Sequence, residues 1–595
     1  MSLLAHLKEN LIAGPMIRLG QYRNQRLTCC RNTYHSTELE VEYGFLFEER
    51  EPLISIESMF LENHNMRVLL LNPAFSQTFY SLERVLRMLG RKAVHPPLGL
   101  ITVAALLPQD WELKLIDLTF QTINQRDWDT CDLVLISGMN VQHQGIVEMT
   151  QEAKKRGKKV AVGGPAVFHG PRQALRDGAD IVVVGELESC VDRFLHALNL
   201  NESGVIISGD ARPDLKSWPS PRFDLLDVNK YLTMGVQFSR GCPFQCEFCD
   251  VTHMLGRQVR IKSSSQVIAE LDALRRLGWK ENIFFVDDNF VGNRSAAKLL
   301  LKELISWHTS VGHCFDFNAQ VSVNVAKDQE LLDLMVEAGF YKVFLGIETD
   351  DQESLEKTKK HQNSRTDLDK ACHKIIKAGL QIEAGWIVGF DNEAPGADHR
   401  VIDFARRNHI PQILVNFLEA PPGTDLWKRL TSEGREPFVP SEKATSLIGL
   451  INYETIRPVA QLTQEVINIY ESLYDPESYY QRAFEEFSSM MPRRLKRAPR
   501  LPSLAQLRAL LLTLGRRGIL SRSRGSFWKY FVKGLWSFSG RFEYFIHTLI
   551  LFEHHDDFRK TIVKTIANEL RLVASDAESA KQFMEAPAVV SAHRG

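Results

Sequence analysis

The segment TMGVQFSRGCPFQCEFCDVTH, residues 233–253, joins a short β-rich run to a group of closely spaced cysteines. Cys242, Cys246 and Cys249 follow the run with the spacing CxxxCxxC. Soft thiolates on one loop are typical ligands of iron–sulfur clusters or zinc. Because three cysteines are one ligand short of a closed site, the segment predicts a metal centre with an open coordination position.

Two other interpretations of this segment are open. A structural zinc site could be completed by His253, four residues after Cys249. The loop follows a strand in a series of βα units, where barrels place their chemistry, and this position argues against such a site. Buried and chemically idle cysteines are the other alternative, and the density of three thiols in eight positions argues against that.

Residues 233–424 alternate between strand-like and helix-like stretches. The strand candidates are TMGVQFSRG, NIFFVDDNF, CFDFNAQVSV, YKVFLGIET, IEAGWIVGF and QILVNFLEAPPGT, with helical stretches such as SSQVIAELDALRRLG between them. This pattern of six βα units predicts a partial or full barrel with its site at the carboxyl ends of the strands.

Residues 66–204 show a second alternating series. Its strand candidates are RVLLLNPAF, WELKLIDL, CDLVLISGM, KKVAVGGP and ADIVVVGE. The alternation predicts a parallel, doubly wound sheet, and the polar and glycine-rich strand ends mark the edge where such sheets bind ligands.

The rest of the chain is divided by composition. Residues 205–232 contain several prolines among polar residues and are predicted to be a linker. Residues 425–595 have the amphipathic pattern of a helical C-terminal domain, and residues 1–65 are an N-terminal extension without a motif.

Composition restricts the setting in which the protein works. The net charge of -1 gives the whole chain no preference for nucleic acid. The cysteines outside the cluster are scattered, which favours a reducing compartment, with the cytoplasm as the expected location. No apolar run reaches the roughly 18 residues that span a bilayer.

The CxxxCxxC loop after the first barrel strand, with Phe248 just before Cys249, resembles the radical S-adenosylmethionine (radical SAM) superfamily. The resemblance implies a 4Fe-4S cluster on the three cysteines, with S-adenosylmethionine bound to the open iron. It also implies reductive cleavage of S-adenosylmethionine to a 5'-deoxyadenosyl radical, and a reducing electron donor such as ferredoxin or flavodoxin.

The later barrel strands carry further parts of the resemblance. FVDDNF places Asp287 and Asp288 where the superfamily contacts the methionine amino end, and LGIET places Glu348 where a sugar or polar contact is expected. GWIVGF, with Gly385 and Gly389, resembles the segment behind the adenine. The two aspartates could instead be strand-end or helix-cap residues, and the glycines could serve only close packing. Arg257, Arg260 and Lys262 are predicted to form a solvated charge run, with binding of a carboxylate as the alternative.

The first sheet resembles the cobalamin-binding domain that precedes the barrel in one branch of this superfamily. Ser137 and, 26 positions later, Gly163 with Gly164 match the serine and double-glycine parts of its pattern. The DxHxxG segment that supplies a histidine to cobalt is absent, so His95 is predicted to be a loop residue. The resemblance therefore implies cobalamin, as methylcobalamin, without a histidine lower ligand. A bare Rossmann-like sheet without a corrinoid is the alternative.

Over residues 66–560 the chain resembles cobalamin-dependent radical enzymes of the hopanoid methylase kind. The implied fold is α/β: a Rossmann-like cobalamin-binding sheet, a radical SAM (β/α)6 partial TIM barrel and a helical C-terminal domain. The implied function is methyl transfer to an unactivated carbon of a hydrophobic or natural-product small molecule. A radical cyclase, reductase or rearrangement enzyme would carry the same motifs, and a non-enzymatic iron–sulfur and corrinoid electron carrier is the alternative outside catalysis.

The C-terminal region combines aromatic and basic residues. Residues 491–545 contain thirteen Lys or Arg and one acidic residue, Glu543. Trp528, Phe531 and Trp536 lie among these cations, and the pattern favours a packed helical cap with a solvated basic face. Peripheral contact of these residues with a membrane surface is the alternative.

Overall fold

The computed structural model describes residues 65–75, 77–209, 211–438, 451–491, 502–538 and 540–585, and of residues 567–585 the backbone only. All of these lie in one compact unit, Glu62–Gly595. The predicted extension, residues 1–65, lies outside the described residues except for its last residue.

The first sheet is parallel and doubly wound, as predicted. Its strands are β1 (Arg67–Asn72), β2 (Glu112–Asp117), β3 (Leu133–Ser137), β4 (Lys159–Gly163), β5 (Ile181–Gly185) and β6 (Val205–Gly209). They lie in the order β2-β1-β3-β4-β5-β6. The chain changes direction across the sheet between β1 and β3, and doubly wound sheets bind ligands beyond the carboxyl ends at such a point.

Helices cover both faces of this sheet. They are α2 (Leu98–Ala104), α3 (Gln125–Thr130), α4 (His143–Lys155), α5 (Pro165–Phe168), α6 (Pro171–Arg176) and α7 (Val191–Asn199). The earlier helix α1 (Glu83–Leu89) packs against the C-terminal helices instead. Val68 and Leu70 of β1 join one apolar layer, whereas Leu69 and Leu71 join the layer on the opposite face. Continuous apolar runs are therefore needed in these strands, because both faces are buried.

The predicted linker, residues 205–232, is wrong in its first residues. Val205–Gly209 forms β6, which pairs with β5 from Ile181 to Gly185. The apolar run of this edge strand is short because only alternate residues are buried, and the prolines that follow it dominate the composition. The rest of the segment contains 3-10 turns at Leu215–Ser217, Phe223–Leu225 and Val228–Lys230.

The second sheet is a partial barrel of parallel strands, which confirms the predicted fold class. Its strands are β7 (Met234–Val236), β10 (Asn282–Phe285), β11 (Asp316–Val321), β12 (Phe340–Glu348), β13 (Gln381–Val388) and β14 (Gln412–Phe417), in the spatial order β14-β13-β12-β11-β10-β7. A short antiparallel pair, β8 (Ser239–Arg240) and β9 (Arg260–Ile261), lies beside it.

Helices surround the outside of this barrel. They are α9 (Ser264–Arg276), α10 (Arg294–Ser310), α11 (Gln329–Ala338), α14 (Leu368–Ala378) and α15 (Ala397–Arg407). The short helices α8 (Val251–Met254), α12 (Gln352–Lys357) and α13 (His361–Ser364) follow the carboxyl ends of strands instead. In β12, Val343, Leu345 and Ile347 are fully buried, whereas the alternating residues Lys342 and Phe344 are less buried. Since side chains alternate along a strand, the second set faces the interior of the barrel, the lumen.

The C-terminal region is helical, as predicted. Its helices are α16 (Asp425–Ser432), α17 (Val459–Leu473), α18 (Pro476–Ser489), α19 (Leu504–Thr513), α20 (Arg524–Ser537) and α21 (Phe542–Glu585), with a π-helical segment at Leu514–Leu520. Within the described residues, no helix is both long enough and apolar enough to cross a membrane.

Helix α17 covers the open edge of the partial barrel. The Tyr470 hydroxyl accepts from the Val415 N–H at 3.2 Å and donates to its carbonyl at 3.0 Å. Tyr474, one helical turn later, makes the same two contacts with Ile413, at 3.1 and 2.8 Å. These hydroxyls satisfy edge groups of β14 that a further strand would otherwise pair.

Candidate active site

The cysteine loop begins at β8 and is held in a compact turn. Gly241 has φ of +92°, and a Cβ there would lie 2.8 Å from the carbonyl oxygens of Gly256 and Gln258, so only glycine fits. The Cys242 N–H donates to the Gly256 carbonyl at 3.1 Å, and the Cys249 N–H donates to the Cys246 carbonyl at 3.1 Å. The loop therefore brings the thiols to the carboxyl end of the first barrel strand.

The cysteines are unpaired and partly enclosed. None of the three takes part in a disulfide. Burial raises the pKa of Cys242, and it raises the pKa of Cys249 to about 12. Thiolates in this environment need a nearby cation, which bound iron would provide.

The arrangement of donors disfavours the zinc alternative. His253 belongs to a group with His169 and Asp250 whose ligand atoms all lie within 4.8 Å, and in the described part of the chain no such group includes a cysteine. Ligands of a single zinc ion lie about 4 Å apart, since each is 2.0–2.3 Å from the metal. His253 is thus engaged elsewhere: His169 contacts Asp250 at 2.8 Å, and the rings of His169 and His253 stack.

Two side chains that the sequence did not single out approach the cysteines. Gln362 Nε2 donates to Cys246 Sγ at 3.3 Å. The Lys360 ammonium pairs with Glu348 and lies 5.7 Å from the centre of the Phe248 ring. Burial alone would lower the pKa of Lys360, and the charges of Glu348, Cys246 and Cys249 raise it above its usual value.

Asp287 and Asp288 lie beside the start of the cysteine loop. Asp287 is fully buried and accepts from the Phe238 N–H at 3.1 Å and the Ser239 hydroxyl at 2.5 Å, so it braces the segment that leads into the loop. Burial raises its pKa to about 7, against the effect of these bonds. Asp288 has one buried carboxylate oxygen without a hydrogen-bond partner among the described residues, and its charge contributes to the raised pKa of Cys242.

Glu348 ends β12 in an unusual conformation. Its φ is +65°, which is rare for a residue other than glycine. Asn363 supports this end of the strand by donating to the carbonyls of Gly346 at 2.9 Å and Ile347 at 2.8 Å. The structure therefore places Glu348 and Lys360 together at the mouth of the lumen, close to the cysteines.

The glycines of GWIVGF allow close approaches along β13. A Cβ on Gly385 would lie 2.9 Å from the Phe344 ring, inside the lumen. Gly389 has φ of +105°, a conformation that favours glycine. Phe248 lies 6.0 Å from the Phe390 ring, and these two residues join an apolar cluster near α16.

The residues matched to the cobalamin pattern meet at the carboxyl edge of the first sheet. Ser137 and Gly163 are paired across β3 and β4. Gly164 has φ of +90°, and a Cβ there would lie 2.5 Å from the Ser137 hydroxyl. His95 lies elsewhere, in the loop before α2, with its ring 5.4 Å from Phe284 of β10. Part of the His95 side chain is exposed. The surrounding protein and the charge of Lys342 nevertheless lower the pKa of its imidazole to about 4.

Ion pairs connect the two sheets next to the cysteine loop. Glu186, just after β5, accepts from Arg240 at 2.8 Å and from Arg260 at 2.6 Å. Lys262 is buried and pairs with the buried Glu270. The predicted solvated charge run is therefore wrong for Arg260 and Lys262, because their partners lie on elements that only the fold brings together.

Comparison with known proteins identifies the domains. Residues 85–195 match the B12 binding domain, residues 236–404 the radical SAM superfamily and residues 424–568 a domain of unknown function, DUF4070. The chain is 42% identical to an uncharacterized methyltransferase of Synechocystis sp. over 529 residues, which cover 89% of this chain and 98% of that protein. It is 30% identical to the hopanoid C-2 methylase of Rhodopseudomonas palustris over 482 residues, which cover 79% and 89%.

Solved structures share the fold at low sequence identity. The methyltransferase TsrM from Kitasatospora setae, solved with cobalamin and a 4Fe-4S cluster, is 14% identical with a TM-score of 0.52, over 85% of this chain and all of that one. OxsB with aqua-cobalamin and S-adenosylmethionine is 14% identical with a TM-score of 0.54, over 85% and 81%. The matched domains imply a 4Fe-4S cluster, S-adenosylmethionine and cobalamin as cofactors. The chain therefore belongs to the family of cobalamin-dependent radical SAM methyltransferases.

Proposed function

We propose that Cys242, Cys246 and Cys249 hold the 4Fe-4S cluster of this methyltransferase and that the methyl acceptor is a hydrophobic small molecule. The observation that carries the proposal is the position of the three thiols, on a tight loop at the mouth of the barrel lumen. When bound, the cluster supplies the electron that cleaves S-adenosylmethionine, and cobalamin carries the methyl group.

The surrounding residues have the chemistry to hold S-adenosylmethionine. We assign Glu348 and Asp288 to its polar groups, since both carboxylates lie near the cysteines. Gly385 and Gly389 let the Phe344 ring and Leu462 approach β13 closely, so we assign them a backbone role beside the cofactor, and Phe248 closes the side toward Phe390. The structure favours a bracing role for Asp287, whose oxygens are occupied by Phe238 and Ser239.

The lumen supports an apolar substrate with a polar end. Phe284, Val286, Phe344, Ile387 and Leu414 occupy alternating strand positions that are only partly buried. At the opposite end from the cysteines, Lys342 pairs with Glu383 at 2.7 Å, and Asn282 donates to Asn318 at 2.8 Å. Lys342 and Glu348 are six residues apart on β12, or roughly 20 Å. A substrate of this length could bury its apolar body beside the cofactors and bond to the polar floor.

Cobalamin is proposed to bind at Ser137, Gly163 and Gly164 without a histidine lower ligand. His95 lies beside Phe284 of the second sheet, and His169 pairs with Asp250, which supports this. The expected electron paramagnetic resonance spectrum of the reduced cobalt lacks the nitrogen splitting that a coordinated imidazole produces. Observation of that splitting would contradict the assignment.

We propose that a ferredoxin or flavodoxin supplies the electron and that the enzyme works in the cytoplasm, in peripheral contact with a membrane. Within the described residues, Cys131 and Cys372 take part in no disulfide, which supports a reducing compartment. Contact with a membrane would bring the enzyme to a hydrophobic methyl acceptor that is dissolved in the lipid.

The decisive experiment uses anaerobically reconstituted, reduced enzyme with S-adenosylmethionine and hydroxocobalamin, whose reduced cobalt accepts the methyl group that S-adenosylmethionine loses. We expect 5'-deoxyadenosine and S-adenosylhomocysteine by mass spectrometry, and 5'-deoxyadenosine should be lost in Cys246→Ala. Cys372→Ala is the matched control, because that thiol is fully buried behind the barrel on α14. Deoxyadenosine without S-adenosylhomocysteine would favour other radical chemistry, and full activity in Cys246→Ala would overturn the cluster assignment.

A further inference from the structure

An apolar surface of the C-terminal region is exposed on α19, the π-helical segment and α20. We call it the α19–α20 face, and it consists of Leu504, Leu507, Leu511, Leu512, Ile519, Leu520, Trp528, Val532, Leu535 and Trp536. Leu504 is 87% exposed and Trp536 is 83% exposed. An exposed group of this size marks an interaction surface, whereas single exposed apolar residues are ordinary.

The apolar residues of α20 lie on two opposite sides of the helix. Phe527, Tyr530 and Phe538 are buried against the rest of the domain. Trp528, Val532, Leu535 and Trp536 recur at intervals of three to four residues and are exposed. The inner set accounts for the packing of the helix, so the outer set needs another explanation.

The face is continuous from α20 to the π-helical segment. The indole N–H of Trp528 donates to the Gly518 carbonyl at 2.9 Å. A Cβ on Gly518 would lie 3.0 Å from the indole, so the ring rests directly on this glycine. Ile519 and Leu520 follow at once and are 68% and 80% exposed.

Cations outnumber acids in the segment that forms this face. Residues 502–541 contain eight Lys or Arg and no Asp or Glu. Three of them have acidic partners from other helices: Arg517 pairs with Glu553 and Asp556, both at 2.9 Å. Arg516 pairs with Glu553 at 3.2 Å, and Lys529 pairs with Glu477 at 2.9 Å. Arg508, Arg522, Arg524 and Lys533 are exposed. The outer surface therefore combines exposed apolar groups, two tryptophans and net positive charge.

We propose that the α19–α20 face docks onto an anionic lipid bilayer. Tryptophan and leucine can enter the interfacial layer while arginine and lysine meet the headgroups. A second copy of this chain is a poorer partner, because a two-fold contact would bring the same cations against one another. The inference deepens the proposed membrane contact by assigning residues to it. It rests on the proposed function only for the reason that the enzyme would bind a membrane, namely a hydrophobic acceptor in the lipid.

The test measures co-sedimentation of the full-length holoenzyme with vesicles of phosphatidylcholine, with and without phosphatidylglycerol. We expect binding to the anionic vesicles at low salt and release at high salt. Neutralising three cations in Arg508→Gln/Arg522→Gln/Arg524→Gln should weaken binding roughly a hundredfold, at about fivefold per charge. The control neutralises Lys155, Lys302 and Lys370, which are exposed on other elements, and should bind as the wild type does.

A second variant tests the apolar part of the face. Trp536→Ser/Leu504→Ser should weaken binding about tenfold or more, and Leu299→Ser, 64% exposed on α10, is its control. Cleavage of S-adenosylmethionine should be unchanged in all variants, so failure of the docking and failure of the methyltransferase assignment are distinguishable. Equal binding to neutral vesicles, or wild-type binding by both variants, would overturn the proposal. So would a dimer in sedimentation velocity that Trp536→Ser/Leu504→Ser abolishes while vesicle binding is absent.

Discussion

At the scale of single residues, the cysteine loop depends on neighbours that are remote in sequence. Gln362 contacts Cys246, which lies 116 positions earlier in the sequence. The charges of Glu348, Cys246 and Cys249 raise the pKa of Lys360 and so favour its positive charge. Hydrogen bonds and positive charge near cluster sulfurs are the main protein contributions to a reduction potential. The start of α13 therefore supplies the groups that can adjust the reduction potential of a cluster on the cysteines.

Replacing Gln362 by leucine should lower the reduction potential of the bound cluster. The substitution removes the N–H that donates to Cys246 at 3.3 Å while it keeps a similar volume. A net hydrogen-bond contribution of about 1 kcal/mol corresponds to about 40 mV for one electron. Redox titration followed by electron paramagnetic resonance measures the shift. Gln352→Leu, on the exposed side of α12, is the control, and equal potentials in the two variants would refute the role of Gln362.

At the scale of elements, the open side of the barrel is closed by tyrosines of α17. Tyr470→Phe/Tyr474→Phe leaves buried N–H and carbonyl groups of β14 unpaired, each at a cost of about 1–3 kcal/mol. We expect a clearly lower melting temperature. Tyr480→Phe is the matched control, because the buried Tyr480 hydroxyl has no hydrogen-bond partner among the described residues. If the control lowered the melting temperature equally, the hydroxyls would not be the cause.

Helix α18 should make stability depend on pH through Glu486. Its carboxylate accepts from the Ile382 N–H at 2.9 Å at the start of β13, and burial raises its pKa to about 8. Because the folded pKa exceeds the unfolded value, this group's contribution to stability is complete in acid and is lost as the pH rises to about 8.

Glu486→Gln should therefore match the wild type near pH 5 and melt at a higher temperature near pH 8, since the amide keeps an acceptor and carries no charge. Thermal unfolding across this range measures the difference. A melting-temperature difference that is constant with pH would show that Glu486 does not titrate in this range.

The elements that the sequence predicted are those with a local pattern. The β-rich runs and the CxxxCxxC spacing lie within short segments, so both sheets and the cysteine loop follow from neighbouring residues. Strand β6 was missed because an edge strand shows too short an apolar run. The role of Tyr470 could not be predicted, because a tyrosine at helical spacing has the pattern of an ordinary core residue. The role of Gln362 could not be predicted either, because only the tertiary fold brings its side chain to Cys246.

At the scale of the whole molecule, the two sheets must keep a fixed relative orientation so that the carboxyl edge of the first sheet faces the cysteine loop. Glu186 sits at that edge, is 5% exposed, and pairs with Arg240 and Arg260 from the two strands flanking the loop. The Arg240 guanidinium also stacks on Trp218, 4.1 Å from its ring centre. One carboxylate therefore links the first sheet to both ends of the metal-binding segment.

Glu186→Ala should uncouple the two domains, because it leaves two enclosed guanidinium groups without their main partner at a cost of about 3–5 kcal/mol. We expect the calorimetric unfolding transition to split or broaden and the enzyme to lose cobalamin during gel filtration, while the isolated cluster spectrum persists. Glu188→Ala is the matched control, since Glu188 contacts Arg240 at 3.2 Å and its loss leaves the Glu186 pairs intact. If Glu186→Ala retained cobalamin and unfolded in the same transition as this control, packing between the two sheets would fix their relative orientation, and the ion pairs would not.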